Sequence, residues 1–396
     1  MEKTTISKAE QASWQEMLSA PQGNQALVAA LFFFFSCLAL PFAESSTVSA
    51  IYILCCVIFY YALSRSIMAL LYYAVPAVLL YALSALLPGA GNPMLLPCAF
   101  LALVAGGGSG AFLIAHFHDL RRHWYFLLMP VAAYAAVALI TGDPLRGLLT
   151  LLPLALAVVA GVCLLRYTAR TEATVSIAVI LAAVLLVAGV ITLGATGGFA
   201  SDALSGMAEE IRGTVASFYT EARALYAEAG MDLMLTDVDI TNTAALFVNL
   251  LPGLFFCVCG ITAFLTWRTL LLLLLSFRSV PRLPTRLASF TMSVLSAILF
   301  LGFYIVSIFA NSGEATLFGT VCQNVALVLE PGLALIGFST LFARGRSRSC
   351  LSLILAFVLL FVLWSNPTTG LALAAFLGAF HILAARFLPS PDKGDK

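Results

Sequence analysis

The chain has 396 residues, of which 62% are hydrophobic and 10% charged, where a soluble domain carries about 25% charged residues. A mean hydropathy of +1.03 over that length excludes a soluble globular protein with one anchor and implies many membrane passes. The net charge of +1 offers no basic face for nucleic acid.

Residues 1–24 contain Glu2, Lys3, Lys8, Glu10 and Glu16 and lack the basic start of a cleaved signal peptide, so they read as a cytoplasmic tail. A span needs about 20 mostly apolar residues, and such runs fall at 25–43, 47–63, 67–88, 94–115, 124–141, 145–165, 174–195, 245–267, 287–310, 316–342, 350–365 and 368–386. The fold class is therefore all-α, a polytopic bundle of about twelve transmembrane helices. Two membrane bundles, 25–195 with about seven spans and 245–387 with about five, flank a hydrophilic segment at 196–244, and 388–396 form a second tail. After Trp267 comes RTLLLLLLSFR, too short to span; it continues the eighth helix or lies at the cytoplasmic interface.

The basic residues orient these spans, because cytoplasmic loops are enriched in Lys and Arg. With the N-terminus inside, 17 of the 20 basic residues fall inside, and only Arg146, Arg212 and Arg223 fall outside. One miscounted span would invert everything after it. Both termini are thus expected in the cytoplasm, with the chain in a cell (inner) membrane.

The fourth span contains AGGGSGAF, where Gly106, Gly107, Gly108 and Gly110 admit a close neighbouring helix; a substrate-facing backbone is the alternative. HFHDLRRH at 116–123 reads as a cytoplasmic anchor, since His116 and His118 cannot share a helix face and Arg121 and Arg122 repel cations. The nine cysteines fall in or beside apolar runs and read as small buried hydrophobes.

The segment 196–244 holds eight acids and two arginines and is expected outside. Its Leu204, Met207, Ile211, Val215, Phe218, Ala222 and Leu225 recur at helical period, predicting an amphipathic helix over 201–229 that ends at Gly230. That helix lays its stripe on the bundle or forms a lid over an entrance. Asp237-x-Asp239 offers oxygen ligands for a divalent cation, but two carboxylates in an acidic loop are more often simply solvated.

Deep within the spans one acid remains. Glu330 in NVALVLEPGLALIGF lies 14 residues from position 316, about 21 Å at 1.5 Å per residue and near the bilayer midplane. An unpaired carboxylate there costs at least a few kcal/mol, so it must be protonated, paired or lining water. Gln323 shares its face, seven residues earlier, with Asn324 adjacent, and Pro331-Gly332 follow. The eighth span has a similar set in Asn249, Pro252 and Gly253. Such Pro/Gly-interrupted spans predict discontinuous helices around a midplane binding site. His381, nearer the cytoplasmic end of the last span, could reach Glu330 only if the helices touch. A protonated Glu330 clasping a neighbouring helix is the structural alternative.

No Ser/His/Asp set, HExxH or Gly-x-Ser-x-Gly occurs, so no catalytic, cofactor or metal role is expected. The order TEARALYAEAG (220–230), LFVNLLPGLFFCVCGITAFLTWRTLLLLL (246–274), PRLPTRLASF (281–290), then Asn324 to Gly332, resembles the YybS-like family, bacterial multi-pass membrane proteins with a domain of unknown function. The resemblance implies a distant grouping with the S components of energy-coupling-factor importers. Those bind a small molecule and rely on a membrane partner subunit and ATPases, docking through an Ala-x-x-x-Ala motif whose spacing Ala26 and Ala30 share.

The function expected first is a small-molecule transporter or substrate-binding transport subunit, with Glu330 binding a proton or cation and Gln323, Asn324 and Asn249 orienting the substrate. The second is a cell-envelope scaffold that docks a partner through its acidic outer helix. A lipid-handling enzyme using the outer acids is the third.

Overall fold

The computed structural model describes residues 13–14, 18, 23–85, 92–116, 128–195, 201–228, 230, 236–277, 280, 283–310, 316–345, 358–359, 361–362 and 366–387. In hydrocarbon each backbone N–H and C=O must find its partner within the chain, which leaves the helix as the default for apolar segments. The helices are α1 Gly23–Ala39, α2 Ser46–Ser64, α3 Ile67–Ala85, α4 Leu95–His116, α5 Leu128–Thr141, α6 Pro144–Leu148, α7 Leu152–Leu165, α8 Arg170–Ala195, α9 Ser201–Glu228, α10 Asp237–Ser276, α11 Thr285–Ala288, α12 Val294–Ala310, α13 Leu317–Gly345 and α14 Pro367–Phe387. A 3-10 turn at Leu149–Leu151 joins α6 to α7.

Counting α6 to α7 as one stretch, seven are long and apolar enough to cross a membrane, and four shorter apolar helices occupy further expected spans. Eleven of the twelve expected spans thus contain an apolar helix. The remaining one, 350–365, lies outside the described residues apart from four positions, as do most of the 1–24 tail and all of 388–396. The RTLLLLLLSFR segment continues α10, which runs unbroken for 40 residues. Large apolar side chains face outward on the spans, such as Ile51, Leu54 and Ile58 on α2 and Val179, Leu186 and Val190 on α8. So large an apolar exterior suits lipid and not water.

The chain divides into two compact units. The first comprises residues 1–248 and 259–289, and its centre is α4. Phe100 to Leu113 are buried without a break, and the glycines make this possible. A Cβ on Gly106 would lie 2.7 Å from Ser36 Cβ of α1, on Gly107 2.9 Å from Thr266 Cγ2 of α10, and on Gly110 2.6 Å from Ala157 Cβ of α7. The stretch AGGGSGAF is a packing surface for three helices.

Contacts at the ends of this unit follow loop parity. Asn92, between α3 and α4, donates to the Ala43 carbonyl between α1 and α2 at 2.8 Å, and Arg146 at the start of α6 pairs with Glu44 and donates to the Pro41 carbonyl. The other loops meet one another instead. Trp14 donates its indole N–H to the Leu164 carbonyl at 3.0 Å and touches the Tyr167 ring. Ser276 donates to the Leu63 carbonyl.

The second unit comprises residues 249–258 of α10 and residues 290–396. Its core joins α12, α13 and α14 around Ala297, Phe300, Ala326, Leu333, Ala374 and Ala379. Helices α13 and α14 meet backbone to backbone: a Cβ on Gly337 would overlap the Ala374 carbonyl oxygen, and one on Gly378 the Leu333 carbonyl oxygen.

The amphipathic helix expected over 201–229 is α9, which stops at Glu228, with Gly230 in the left-handed region at φ +72. Its stripe is only partly covered, since Val215 is buried whereas Phe218 and Leu225 are exposed.

Candidate functional site

The second unit contains a cavity of about 490 Å³ where Glu330 and Gln323 of α13 face Tyr304 and Ser307 of α12, Thr369 and Ala372 of α14, and Leu250 of α10. Seven residues are nearly two turns, which is why Gln323 and Glu330 open onto the same space. Glu330 stands thirteen residues after the start of α13 and fifteen before its end, so its carboxylate lies at mid-helix. It is 9% exposed. Among the described residues no basic side chain lies within ion-pair distance of it. A second cavity, about 350 Å³ and lined by Leu27, Ala30, Leu31, Phe34, Leu128, Met129 and Ala132 of the first unit, is entirely apolar and offers no chemistry.

Tyr304, Ser307 and Thr369 are polar members of the site that sequence reasoning missed. The Tyr304 ring is held edge-on against Phe376 at 4.9 Å, and its hydroxyl lies within electrostatic reach of Glu330. The available signal was modest: Tyr304 is the only phenol in the ninth span. With Ser307, whose hydroxyl donates to the Tyr304 carbonyl at 2.8 Å, it gives the cavity a polar wall facing the carboxylate. The arrangement has the donors and the acid needed to bind a proton or a small cation and to orient a polar molecule.

Asn324 and Asn249 do something else. Pro252 has no N–H and crowds the carbonyl one turn back, which weakens α10 locally. The carboxamide of Asn324 meets the adjoining backbone groups: Oδ1 accepts from the Gly253 N–H at 2.6 Å, and Nδ2 donates to the Asn249 carbonyl at 2.9 Å. Those two groups are i and i+4 partners of the helix, so one side chain serves both. Nδ2 also donates to the Thr320 carbonyl. Asn249 contributes its backbone, and its residue is exposed.

The expected discontinuities at Pro252-Gly253 and Pro331-Gly332 are not present. Both α10 and α13 run through their prolines. The Asn324 amide supplies the physical reason in α10. In α13 the cost is one lost bond to the Leu327 carbonyl, and Gly332 leaves room for Met292, whose Sδ would be 2.7 Å from a Cβ there. His381 is half-buried on α14 and does not line the cavity.

The two acids at 237 and 239 are occupied locally. Asp237 pairs with Arg223 at 2.8 Å. Asp239 closes a capping box at the start of α10: its carboxylate accepts from the Thr236 N–H and hydroxyl, and its own N–H donates to Thr236 Oγ1. The Thr236 hydroxyl and N–H hold the Asp239 carboxyl below the ordinary aspartate range. Of HFHDLRRH only His116 is described. Cys37, Cys56, Cys98, Cys163, Cys259 and Cys322 are buried, Cys257 is half-buried and Cys55 exposed, while Cys350 lies outside the described residues.

No curated protein and no solved structure matches the chain. A family model does, described as "Predicted membrane protein (DUF2232)" and covering residues 111–380. That is 270 of 396 residues and takes in α5 to α13, the Glu330 cavity and the Asn324 bridge. By its composition, its apolar helices and this match, the chain belongs to the DUF2232 family of multi-pass membrane proteins.

Proposed function

We propose that this protein moves or binds a small molecule in the cell membrane, as a transporter or as the substrate-binding subunit of a transport system. One observation carries this reading: a mid-helix carboxylate, Glu330, opens with Gln323 and Tyr304 onto a cavity of about 490 Å³ instead of facing lipid or a basic partner. Ionisable groups at membrane depth mark ion and substrate pathways. Glu330 is the proton- or cation-binding group; Gln323, Tyr304 and Ser307 orient the ligand. Asn324 and Asn249 hold the helices that carry the site, and His381 takes no part.

The chain has no nucleotide-binding motif, so energy comes from an ion gradient or from a separate ATPase, as the resemblance to energy-coupling-factor S components implies. Both termini are cytoplasmic, in a bacterial inner membrane. The contact of Trp14 with Leu164 and Tyr167 supports this alternation, because it sets Trp14 beside a loop of the same parity.

The test uses the full-length protein in proteoliposomes. A water-soluble carbodiimide should label Glu330, detected by peptide mass spectrometry, and the labelling should fall with rising pH as the carboxyl ionises. Glu330→Gln should abolish that label and remove the pH dependence of any ligand that co-purifies. If only a lipid-soluble carbodiimide reaches Glu330 and the Gln variant behaves as wild type, the transport reading fails. The envelope scaffold then stands, which the exposed Phe218, Leu225 and Tyr226 of α9 favour as a docking face.

A further inference from the structure

The first unit gathers three arginines that no carboxylate among the described residues neutralises. Arg170 opens α8, Arg268 lies in α10 and Arg286 in α11. The Arg170 guanidinium sits 4.5 Å over the Phe264 ring and donates through Nη1 to the Ala288 carbonyl at 2.6 Å, two residues from Arg286. Arg268 follows Phe264 by four residues on the same face of α10, with its guanidinium 3.9 Å over the Tyr72 ring and within electrostatic reach of Arg170. The Arg286 guanidinium is 5.9 Å from the Tyr167 ring. Trp267 fixes α11 beside α10 by donating to the Leu287 carbonyl.

The described ion pairs are Arg146–Glu44, Arg212–Glu209 and Arg223–Asp237, and none involves this cluster. Glu172, the nearest acid in sequence, is exposed. The Nε atoms of Arg170, Arg268 and Arg286 are all buried with no hydrogen-bond partner. A buried donor left unmet loses its full hydration, and the like charges of Arg170 and Arg268 repel. Stacking on aromatic faces orients the guanidinium planes; one Arg170 N–H is taken by the Ala288 carbonyl and Arg268 meets the Tyr73 hydroxyl, while the three Nε–H groups stay unmet. Among the described residues no anion with several oxygens pairs with the cluster. Arginine forks match phosphoryl oxygens in charge and geometry.

We propose that Arg170, Arg268 and Arg286 form a binding site for a phosphoryl group. Its source is either the headgroup of an anionic phospholipid or a soluble phosphorylated compound. The site is independent of the Glu330 cavity, since none of its residues lines that space.

The experiment takes the full-length protein in a neutral detergent and measures its thermal-unfolding midpoint with phosphatidylglycerol, phosphatidylcholine, pyrophosphate or sodium chloride of matched ionic strength. Stabilisation by phosphatidylglycerol and not phosphatidylcholine assigns a lipid headgroup. Stabilisation by pyrophosphate alone assigns a soluble phosphoryl ligand. In either case Arg268→Gln or Arg286→Gln should weaken the half-saturating concentration about tenfold, roughly one charge-assisted contact, while Arg286→Lys loses less. If neither additive stabilises the wild type above chloride, or if the Gln variants respond as the wild type does, the site does not exist. The wild-type measurement decides the matter even where a variant fails to fold.

Discussion

The side chain of Asn324 accepts the backbone N–H of Gly253 at 2.6 Å, so a residue of α13 completes the backbone of α10 beside Pro252. Replacing Asn324 with Ala removes the donor and the acceptor together. The expected cost is about 1–2 kcal/mol, the scale of side-chain hydrogen bonds between membrane helices, read as a lowered unfolding midpoint in detergent. Asn324→Asp keeps the acceptor and loses the donor, and should fall between the two.

Gly253 tests the same contact from the other side. A Cβ there would lie 2.5 Å from Asn324 Oδ1 and 3.2 Å from Asn324 Cα, so Gly253→Ala must displace the carboxamide and should cost about 1–3 kcal/mol. Gly260→Ala on the same helix meets nothing within 4 Å and should be neutral or slightly stabilising, since alanine favours a helix by up to about 1 kcal/mol. Equal effects from the two substitutions would remove the special role of position 253.

The seam between α13 and α14 is less forgiving. A Cβ on Gly337 would overlap a backbone oxygen, which cannot swing aside, so Gly337→Ala should cost about 3 kcal/mol, the upper end of overpacking. At Gly332 the obstacle is the flexible Met292 side chain, which adapts readily. Gly332→Ala should therefore cost under about 1 kcal/mol. Reversal of this order in a thermal-unfolding series would contradict the packing described here.

The start of α10 should fray in acid. Thr236 holds the Asp239 carboxyl below its ordinary value; a carboxyl lowered in the folded state stabilises above its unfolded pKa, and that contribution disappears as pH falls through the folded value. Protection from hydrogen exchange at the amides of residues 239–241, relative to unstructured amides at the same pH, should be high at neutral pH and fall below about pH 4, the ordinary aspartate pKa. Asp239→Asn should exchange faster at neutral pH and lose the acid transition.

The spans were legible because bilayer thickness sets a length that composition alone reveals. The arginines gave an expected alternation, and the pairing of Asn92 with Ala43 and of Trp14 with Leu164 joins segments of like parity in it. Glu330 stood out through the rarity of an acid in a span, and Gln323 through helical period. The rest depended on distances between helices. Asn324 read as a substrate ligand because an amide beside a midplane acid looks the same whether it faces a cavity or a neighbouring backbone. Tyr304 looked like one more aromatic in an apolar run, and Trp14 like part of a solvated tail. Arg170, Arg268 and Arg286 are 98 and 18 residues apart in the chain, and each read as an ordinary loop charge.

Helix α10 has 40 residues, about 60 Å at 1.5 Å per residue, twice the roughly 30 Å of a hydrocarbon core. A rod that long overhangs any bilayer, so matching apolar length to membrane thickness cannot decide its depth. Depth is set sideways, by the grip of Thr266 and Thr269 on the glycines of α4 and of Trp267 on α11. Changing the acyl-chain length of the surrounding lipid should therefore leave the axial position of α10 almost untouched, whereas loosening that grip would let it slide.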